Sequence, residues 1–436
     1  MENEVKEAVE TEVKSSHHHH SHHHHHHHHK SGKKKKKFSL KRFVSKYKLP
    51  LRFAAFALAF ALTVSCTIFA VKFIDNLSRT DETVMNSPVT APQLPEGQMA
   101  LRVTLFDGAV ALHHDAVGTY LTTSTSVAPK DIFGQQTQTT RMDQGKPLEL
   151  SFGVMGLPDG SKVTGYRVEL TEKGERNPVF RKDCGPEETA VAVYNLKTAT
   201  TYQYTIRADF DKLDAISVSG TFSTASGPRL LKVDGVANVR DLGGWKVGNT
   251  AIKQGLLFRG TELDGENESS FLLEASGRKT LVEQLGIRTE LDLRAPSERP
   301  AVGTLGVTVL GPYNMPFYDN VFATPDTVRQ VFQELANPDN YPIYMHCTHG
   351  RDRTGIVSLI LGAVLGMEED DLIWEYGLTA LAPEYKGQIG YAEAYTVLDG
   401  LKTYAGNTLA QQAENYLLSV GLTDAEIASL RQIYLG

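Results

Sequence analysis

The stretch that most constrains how this chain of 436 residues can fold is Tyr341 to Gly355. It reads Tyr-Pro-Ile-Tyr-Met-His-Cys-Thr-His-Gly-Arg-Asp-Arg-Thr-Gly and runs straight into the apolar segment Ile356 to Leu365. The pattern is strand, tight loop, helix. Gly350 lies between Cys347 and Arg353, where the backbone has to bend, and the helix that follows aims its unpaired N-terminal N–H groups back into the loop. The successive amides of Thr348, His349, Gly350, Arg351, Asp352 and Arg353 then form a nest for an anion. A phosphate held there meets the planar fork of Arg353, which grips two oxygens at once, with Cys347 expected beneath the phosphorus. A helix N-terminus and a neighbouring arginine both favour the thiolate, the nucleophilic form of cysteine. The rival reading is a buried structural cysteine ahead of a helix. It leaves two arginines, an aspartate and two histidines clustered without a packing purpose.

The Cys-x5-Arg-Thr-Gly pattern, preceded by His346, resembles the signature of the cysteine-dependent protein tyrosine phosphatase superfamily. A rhodanese-like sulfurtransferase is the competing resemblance, but its loop usually has one residue fewer between cysteine and arginine. Three more stretches extend the likeness over most of residues 229–436: Asn238-Val-Arg-Asp-Leu-Gly-Gly244, Gly255-Leu-Leu-Phe-Arg-Gly260 and Leu285-Gly-Ile-Arg-Thr-Glu-Leu-Asp-Leu-Arg294. Together they resemble the bacterial tyrosine phosphatases that also dephosphorylate phosphoinositides. That family's loop usually reads His-Cys-x-x-Gly-Lys-Asp-Arg-Thr-Gly. Here Arg351 replaces the lysine and His349 stands at a commonly small position, two departures that bear on substrate preference rather than on chemistry.

The resemblance implies two in-line phosphoryl transfers, in which Cys347 attacks, a cysteinyl-phosphate forms and water releases phosphate. Arg353 and the loop amides stabilise the equatorial oxygens, His346 orders the loop, and Thr354 hydrogen-bonds the thiolate or helps its departure. No metal or other cofactor is required. The proton for the leaving oxygen has two candidate donors. Asp352 stands at the loop position the related bacterial enzymes are thought to use and is favoured; Asp319 lies on an upstream stretch suited to a hinged lid. Asp292 and Arg294 end a strand at the carboxyl edge where α/β sheets place their sites, either as a supporting ion pair or in contact with substrate. Asn238, Arg240 and Asp241 are expected to brace the loop, and Arg259 to add positive potential. Two readings from other classes stand beside the enzyme: a catalytically inactive phosphate-binding module, and an adhesin whose enzyme is vestigial.

The remainder of the chain organises around this domain. Its first 72 residues carry fourteen Lys and Arg against five Glu, +9, so the total of −6 leaves −15 on residues 73–436. That acidic balance disfavours nucleic acid as a general partner. Residues 1–50 read as a disordered tail that contains His17 to His29, a tract with twelve of the sixteen histidines, followed by the lysine run Lys33 to Lys37. Metal binding and a solvated tail resting on anionic lipid are both open to it, as is an expression tag. Residues 53–71 hold no charge, close to the ~20 residues that span a bilayer, so 51–74 is read as an uncleaved transmembrane anchor. Eleven basic residues and no acid from Lys30 to Arg52 put the N-terminus in the cytoplasm and the rest outside. Residues 75–100 are a proline-bearing linker, and 101–142 are expected to form short strands.

Residues 143–226 alternate like an all-β sandwich, with strands anticipated at 148–152, 165–170, 190–194, 202–208 and 217–224. Leu196, Thr200 and Tyr202 resemble the Leu-x-Pro-x-Thr-x-Tyr corner of a fibronectin type III domain, with Thr198 in place of proline and Phe152 in place of the usual tryptophan. After Gly227 the pattern changes to alternating strands and helices, an α/β domain at 228–436 on a mainly parallel sheet flanked by helices. Its last two helices are expected at 409–418 and 423–435, broken at Gly421. Of the three cysteines, Cys66 falls in the span, and Cys184 and Cys347 are expected to be free thiols. Partners implied are a phosphorylated protein, a phosphoinositide or an inositol phosphate, and the membrane.

Overall fold

The computed structural model describes residues 98–436 apart from 106–107, 134–140, 300–302 and 386–389. The histidine tract, Cys66 and the uncharged run at 53–71 lie outside the described residues. Among those that are described, no helix is long and apolar enough to cross a membrane. The described residues belong to one compact unit.

Its first part is β-rich. Strands β1 (Ala100–Thr104), β3 (Leu148–Met155) and β6 (Ala190–Val193) make a three-stranded antiparallel sheet in the order β1-β3-β6. The second sheet runs β2-β8-β7-β4-β5, with β2 (Ala109–Val110), β4 (Val163–Glu172), β5 (Pro178–Cys184), β7 (Thr201–Phe210) and β8 (Ile216–Thr224). Alternation explains the burial, since side chains two apart point the same way. Leu148, Leu150 and Phe152 of one sheet meet Tyr166, Val168 and Leu170 of the other in a shared core. The Tyr202 hydroxyl accepts the Lys197 N–H at 2.8 Å, five residues upstream, the bond a tyrosine corner makes. Strand β5 escaped the sequence reading because it is charged and largely exposed at a sheet edge.

The structure corrects the reading of 101–142 as short strands. Strands β1 and β2 belong to the sandwich, but α1 (Asp115–Thr122) and α2 (Pro129–Phe133) follow, packed against the C-terminal domain. Val117 and Tyr120, three apart, form a helical rather than a strand stripe, and Pro129 opens α2 where its missing N–H costs nothing.

The C-terminal domain is built on a five-stranded sheet in the order β14-β13-β15-β12-β9. Strands β12 (Leu257–Gly260), β13 (Thr289–Asp292), β14 (Thr308–Leu310) and β15 (Ile343–His346) are parallel; β9 (Arg240–Asp241) pairs antiparallel with β12. A small hairpin, β10 (Lys246–Val247) and β11 (Thr250–Ala251), stands apart. Parallel strands need covered faces, and helices supply them: α3 (Ala275–Lys279), α4 (Pro325–Ala336), α5 (Asp352–Leu365), α6 (Glu369–Gly377), α7 (Ala392–Leu401), α8 (Leu409–Ser419) and α9 (Asp424–Tyr434). Helix α5 is apolar all round and buried along its length, which suits a helix at the centre of the core. Gly421 takes φ +102 between α8 and α9. Strand β15 occupies the middle of the sheet, so its carboxyl end delivers Cys347 into the interior of the domain.

Two parts of this unit are joined by buried polar contacts. Arg229 binds the Asp241 carboxylate at 2.8 Å and the Asn195 carbonyl at 2.7 Å, while Asn195 exchanges two hydrogen bonds with the Lys232 backbone.

Candidate active site

The loop between β15 and α5 turns at Gly350, whose φ is +63. A Cβ there would lie 2.2 Å from the Gly260 carbonyl oxygen, so glycine is required both by conformation and by the close approach of β12. Among the described residues, no protein acceptor takes up the amide N–H groups of residues 348–353; the first to find one is Gly355, which donates to the Arg351 carbonyl at 2.9 Å. Carbonyls of the loop point the other way. His349 and Gly350 offer theirs to Asn238 Nδ2 at 3.2 and 3.3 Å, and Gly350 also to Arg259 at 2.7 Å. The Tyr385 hydroxyl donates to the His349 carbonyl at 2.5 Å, and Thr348 accepts the Glu262 N–H through its own carbonyl. The loop's carbonyls are thus held by protein donors while its N–H groups are left without protein acceptors, the condition an anion nest requires.

Cys347 is buried, 2% exposed, and free, as is Cys184. Arg353 at the other end of the loop is also buried. Its guanidinium makes a two-pronged ion pair with Glu298 at 2.6 and 3.0 Å, a bond to the Thr348 hydroxyl at 3.3 Å, and lies 4.9 Å from the Phe317 ring centroid. Burial works against its charge, but Glu298 and the Cys347 sulfur outweigh that and raise its pKa. The same contact, with Arg353 foremost, holds the Glu298 carboxyl below its usual range. Phe317, 47% exposed, forms an aromatic wall at the mouth.

Asp352 opens α5 and receives the Tyr318 hydroxyl on Oδ1; Arg351 Nε lies 3.3 Å from the same oxygen. Tyr318 sits in the left-handed region at φ +42 and its pKa is pushed up by burial and by donation to Asp352. Asp319, the other candidate acid, is exposed, and it is its neighbour Tyr318 that turns toward the loop. Arg351 is half-buried and reaches Glu393 at 3.4 Å. The His349 ring packs edge-on between Phe271 and Tyr385. Thr354 Oγ1 is buried and has no hydrogen-bond partner among the described residues.

His346 is wholly buried. Its Nδ1 faces the Cys347 carbonyl at 3.3 Å and its Nε2 faces Glu290 at 3.2 Å, so both nitrogens have acceptors and the doubly protonated ring fits. Burial opposes that charge, but Asp292 and Glu290 prevail and raise the pKa. Glu290, Asp292 and His346 bring their donor atoms within 4.8 Å of one another, a spacing a metal could use. Asp292 is bound to Arg294 at 2.9 Å and both His346 nitrogens face acceptors, while Glu290 Oε2 is buried without a hydrogen-bond partner among the described residues; the three form a buried polar network under the loop.

Residues 231–436 match the family model described as "Tyrosine phosphatase family". This stretch is a tyrosine phosphatase family domain. A Cupriavidus necator protein named "Putative tyrosine-protein phosphatase" is 27% identical over 183 residues, covering 35% of this chain and 64% of that protein. The tyrosine-protein phosphatase of Nostoc commune is 23% identical over 198 residues, 34% of this chain and 66% of its own length. The chain therefore spans slightly less than two thirds of the curated relatives it matches. Among solved structures, the core catalytic domain of the PP-IP phosphatase SIW14 from S. cerevisiae, in complex with citrate, aligns at 17% identity and a TM-score of 0.22, over 35% of this chain and 92% of that one.

Within the phosphatase domain the structure corrects one expectation and sharpens two. Asp241 does not reach the loop; its carboxylate takes the amides of Gly243 and Gly255 and the Arg229 guanidinium, tying β9 to its surroundings. Arg259 is fully buried, paired with Glu375 at 2.7 Å and bonded to the Gly350 carbonyl; burial together with Arg240 brings its pKa down to about 10, which leaves it charged at neutral pH, so it ties the loop down and places its positive charge beneath the loop, where it interacts with Cys347. Arg294 is 1% exposed and binds Glu262, Asp264 and Asp292, which leaves the supporting ion pair and excludes substrate contact in this arrangement. Asn238 does brace the loop, and Arg240 acts through it, bonding the Asn238 side chain at 2.5 Å and Glu375 at 2.7 Å. Sequence reasoning missed Glu298, Glu375, Tyr318 and Tyr385. Each reaches its partner at the site across 34 residues or more of chain, a separation that no local motif records.

Proposed function

We propose that this protein is a cysteine-dependent phosphatase that hydrolyses phosphate monoesters through a cysteinyl-phosphate. The observation that carries the reading is the run of six loop amides without a protein acceptor among the described residues, lying between the free, buried Cys347 and the buried Arg353. The thiolate attacks phosphorus in line, the amides and Arg353 hold the three equatorial oxygens, and a carboxyl gives the leaving oxygen its proton. Asp352 is the donor this reading assigns. Tyr318 and Arg351 both occupy its Oδ1, which leaves Oδ2 for the ester.

The substrate is a phosphotyrosine-like or phosphoinositide-like monoester. Phe317 beside Arg353 favours an aryl phosphate, whose ring would stack on it; Arg351 at the mouth favours a ligand with a second phosphate. The likeness of the first part to a fibronectin type III domain supports a spacer or binding surface. The uncharged run at 53–71 with its basic N-terminal flank supports a single membrane anchor with the catalytic domain outside the cytoplasm.

Turnover of para-nitrophenyl phosphate by the purified chain, with chelator present, tests the chemistry; no turnover leaves only a phosphate-binding module. A panel of phosphotyrosine peptides, phosphoinositides and inositol phosphates then ranks the substrate classes. For the topology, protease added to intact cells should cut residues 75–436, and protection that vanishes on lysis would refute it.

A further inference from the structure

Residues 112–133 and 141–145 lie between strands β2 and β3, outside the part that matches the phosphatase family, and belong to neither sheet of the sandwich. Their apolar side chains, Val117, Tyr120, Phe133 and Met142, are buried in the core of the phosphatase domain instead. Three polar side chains of this stretch reach groups that hold the phosphate loop. Asp143, 2% exposed, accepts the Asn238 N–H on Oδ2 at 2.9 Å, and Asn238 is the residue whose Nδ2 binds the His349 and Gly350 carbonyls. Arg141 pairs with Glu384 at 3.0 Å, next to Tyr385, whose hydroxyl binds the same His349 carbonyl. The Tyr120 hydroxyl donates to the Trp374 carbonyl at 3.1 Å, next to Glu375, which holds the Arg259 that binds the Gly350 carbonyl.

These three routes converge on two peptide units. A peptide is planar and trans, so a carbonyl of residue 349 held outward turns the N–H of Gly350 inward, and that of residue 350 does the same for Arg351. Asn238 itself takes φ +59, a conformation that non-glycine residues adopt only when their surroundings impose it. The Asp143 carboxylate, fixed by Arg141 at 3.2 Å, is one of the groups that impose it.

We propose that this N-terminal stretch completes the phosphate site and that Asp143 is its positioning residue, acting through Asn238 on the peptide units at Gly350 and Arg351. An Asp143 that merely sealed the core with Arg141 would affect stability alone. One that positions the loop sets how well the amides face an anion.

The test uses the full chain and inorganic phosphate, measured by calorimetry and as a competitive inhibitor of nitrophenyl phosphate turnover. Loss of a buried hydrogen-bond partner should make Asp143→Ala bind phosphate roughly tenfold more weakly and lower kcat, and Asp143→Asn, which keeps a carbonyl oxygen for the Asn238 amide, should restore most of both. The double variant Asp143→Ala with Asn238→Ala should be no worse than Asn238→Ala alone, because both act on one path. Additive losses, or an Asp143→Ala protein that binds and turns over like the wild type while melting earlier, would overturn the inference. Should Asp143→Ala fail to fold, Arg141→Ala decides, since its side chain is 41% exposed: weaker phosphate binding at an unchanged melting temperature supports the proposal, and unchanged binding refutes it. The inference rests on the proposed phosphate chemistry. A wild-type chain without phosphate binding or turnover takes both down, whereas a functional wild type with an indifferent Asp143 removes this inference alone.

Discussion

Replacing Gly350 by alanine tests the geometry of the loop with one methyl group. The added Cβ would sit 2.2 Å from the Gly260 oxygen and 2.4 Å from its carbonyl carbon, against ordinary contact from 3.4 Å, so about 1.2 Å of movement is needed. Both sides are backbone. Strand β12 lies inside the sheet, between β15 and β9, and cannot retreat without breaking its ladders, so the loop has to move. A left-handed alanine adds about 1–2 kcal/mol, and overpacking a further ~1–3 kcal/mol. A shift of about 1 Å in the groups that orient a reacting centre costs on the order of a hundredfold in rate. Steady-state turnover of nitrophenyl phosphate with a parallel thermal melt should show kcat down by about a hundredfold in a chain that still melts cooperatively. An alanine variant with wild-type kcat and unchanged melting would refute the claim that β12 fixes the loop.

If Asp352 is the acid, Asp352→Asn should lose far more rate on phenyl phosphate, whose leaving group needs a proton, than on a nitrophenyl ester; that dependence appearing in Asp319→Asn instead would move the role to Asp319. Glu298→Gln should lower kcat/KM by roughly threefold to tenfold, since it removes the charge that aligns Arg353 but not the arginine; an unchanged kcat/KM would show that the loop aligns Arg353 unaided. The folded pKa of His346 is raised above its ordinary 6.5, so its contribution to stability is fully present below that pH and is lost as pH rises through the folded value. Denaturant melts of the wild type should therefore weaken over that rise and those of His346→Gln should not; parallel slopes in the two proteins would contradict the buried imidazolium.

The loop was legible in the sequence because its chemistry is local: Cys347, Gly350 and Arg353 lie within seven residues and the apolar run after them announces a buried helix. Strands β3, β4, β7 and β8 were legible by alternation, while charged edge strand β5 was not. What the sequence withheld is the support of the loop. Glu298 meets Arg353 across 55 residues and Glu375 meets Arg240 across 135, contacts that no spacing encodes. The helices at 115–133 were hidden for a related reason, because their two turns bury a face against a domain that begins about a hundred residues later.

The central claim is that Cys347 becomes covalently phosphorylated. Acid quench of the full chain during turnover, followed by peptide mass analysis, should find one phosphoryl group on the peptide that contains Cys347. Cys347→Ser should give no turnover while still binding inorganic phosphate, since the amides and Arg353 remain. Measurable turnover by Cys347→Ser, or steady turnover by the wild type with the phosphoryl group on another residue, would contradict the account.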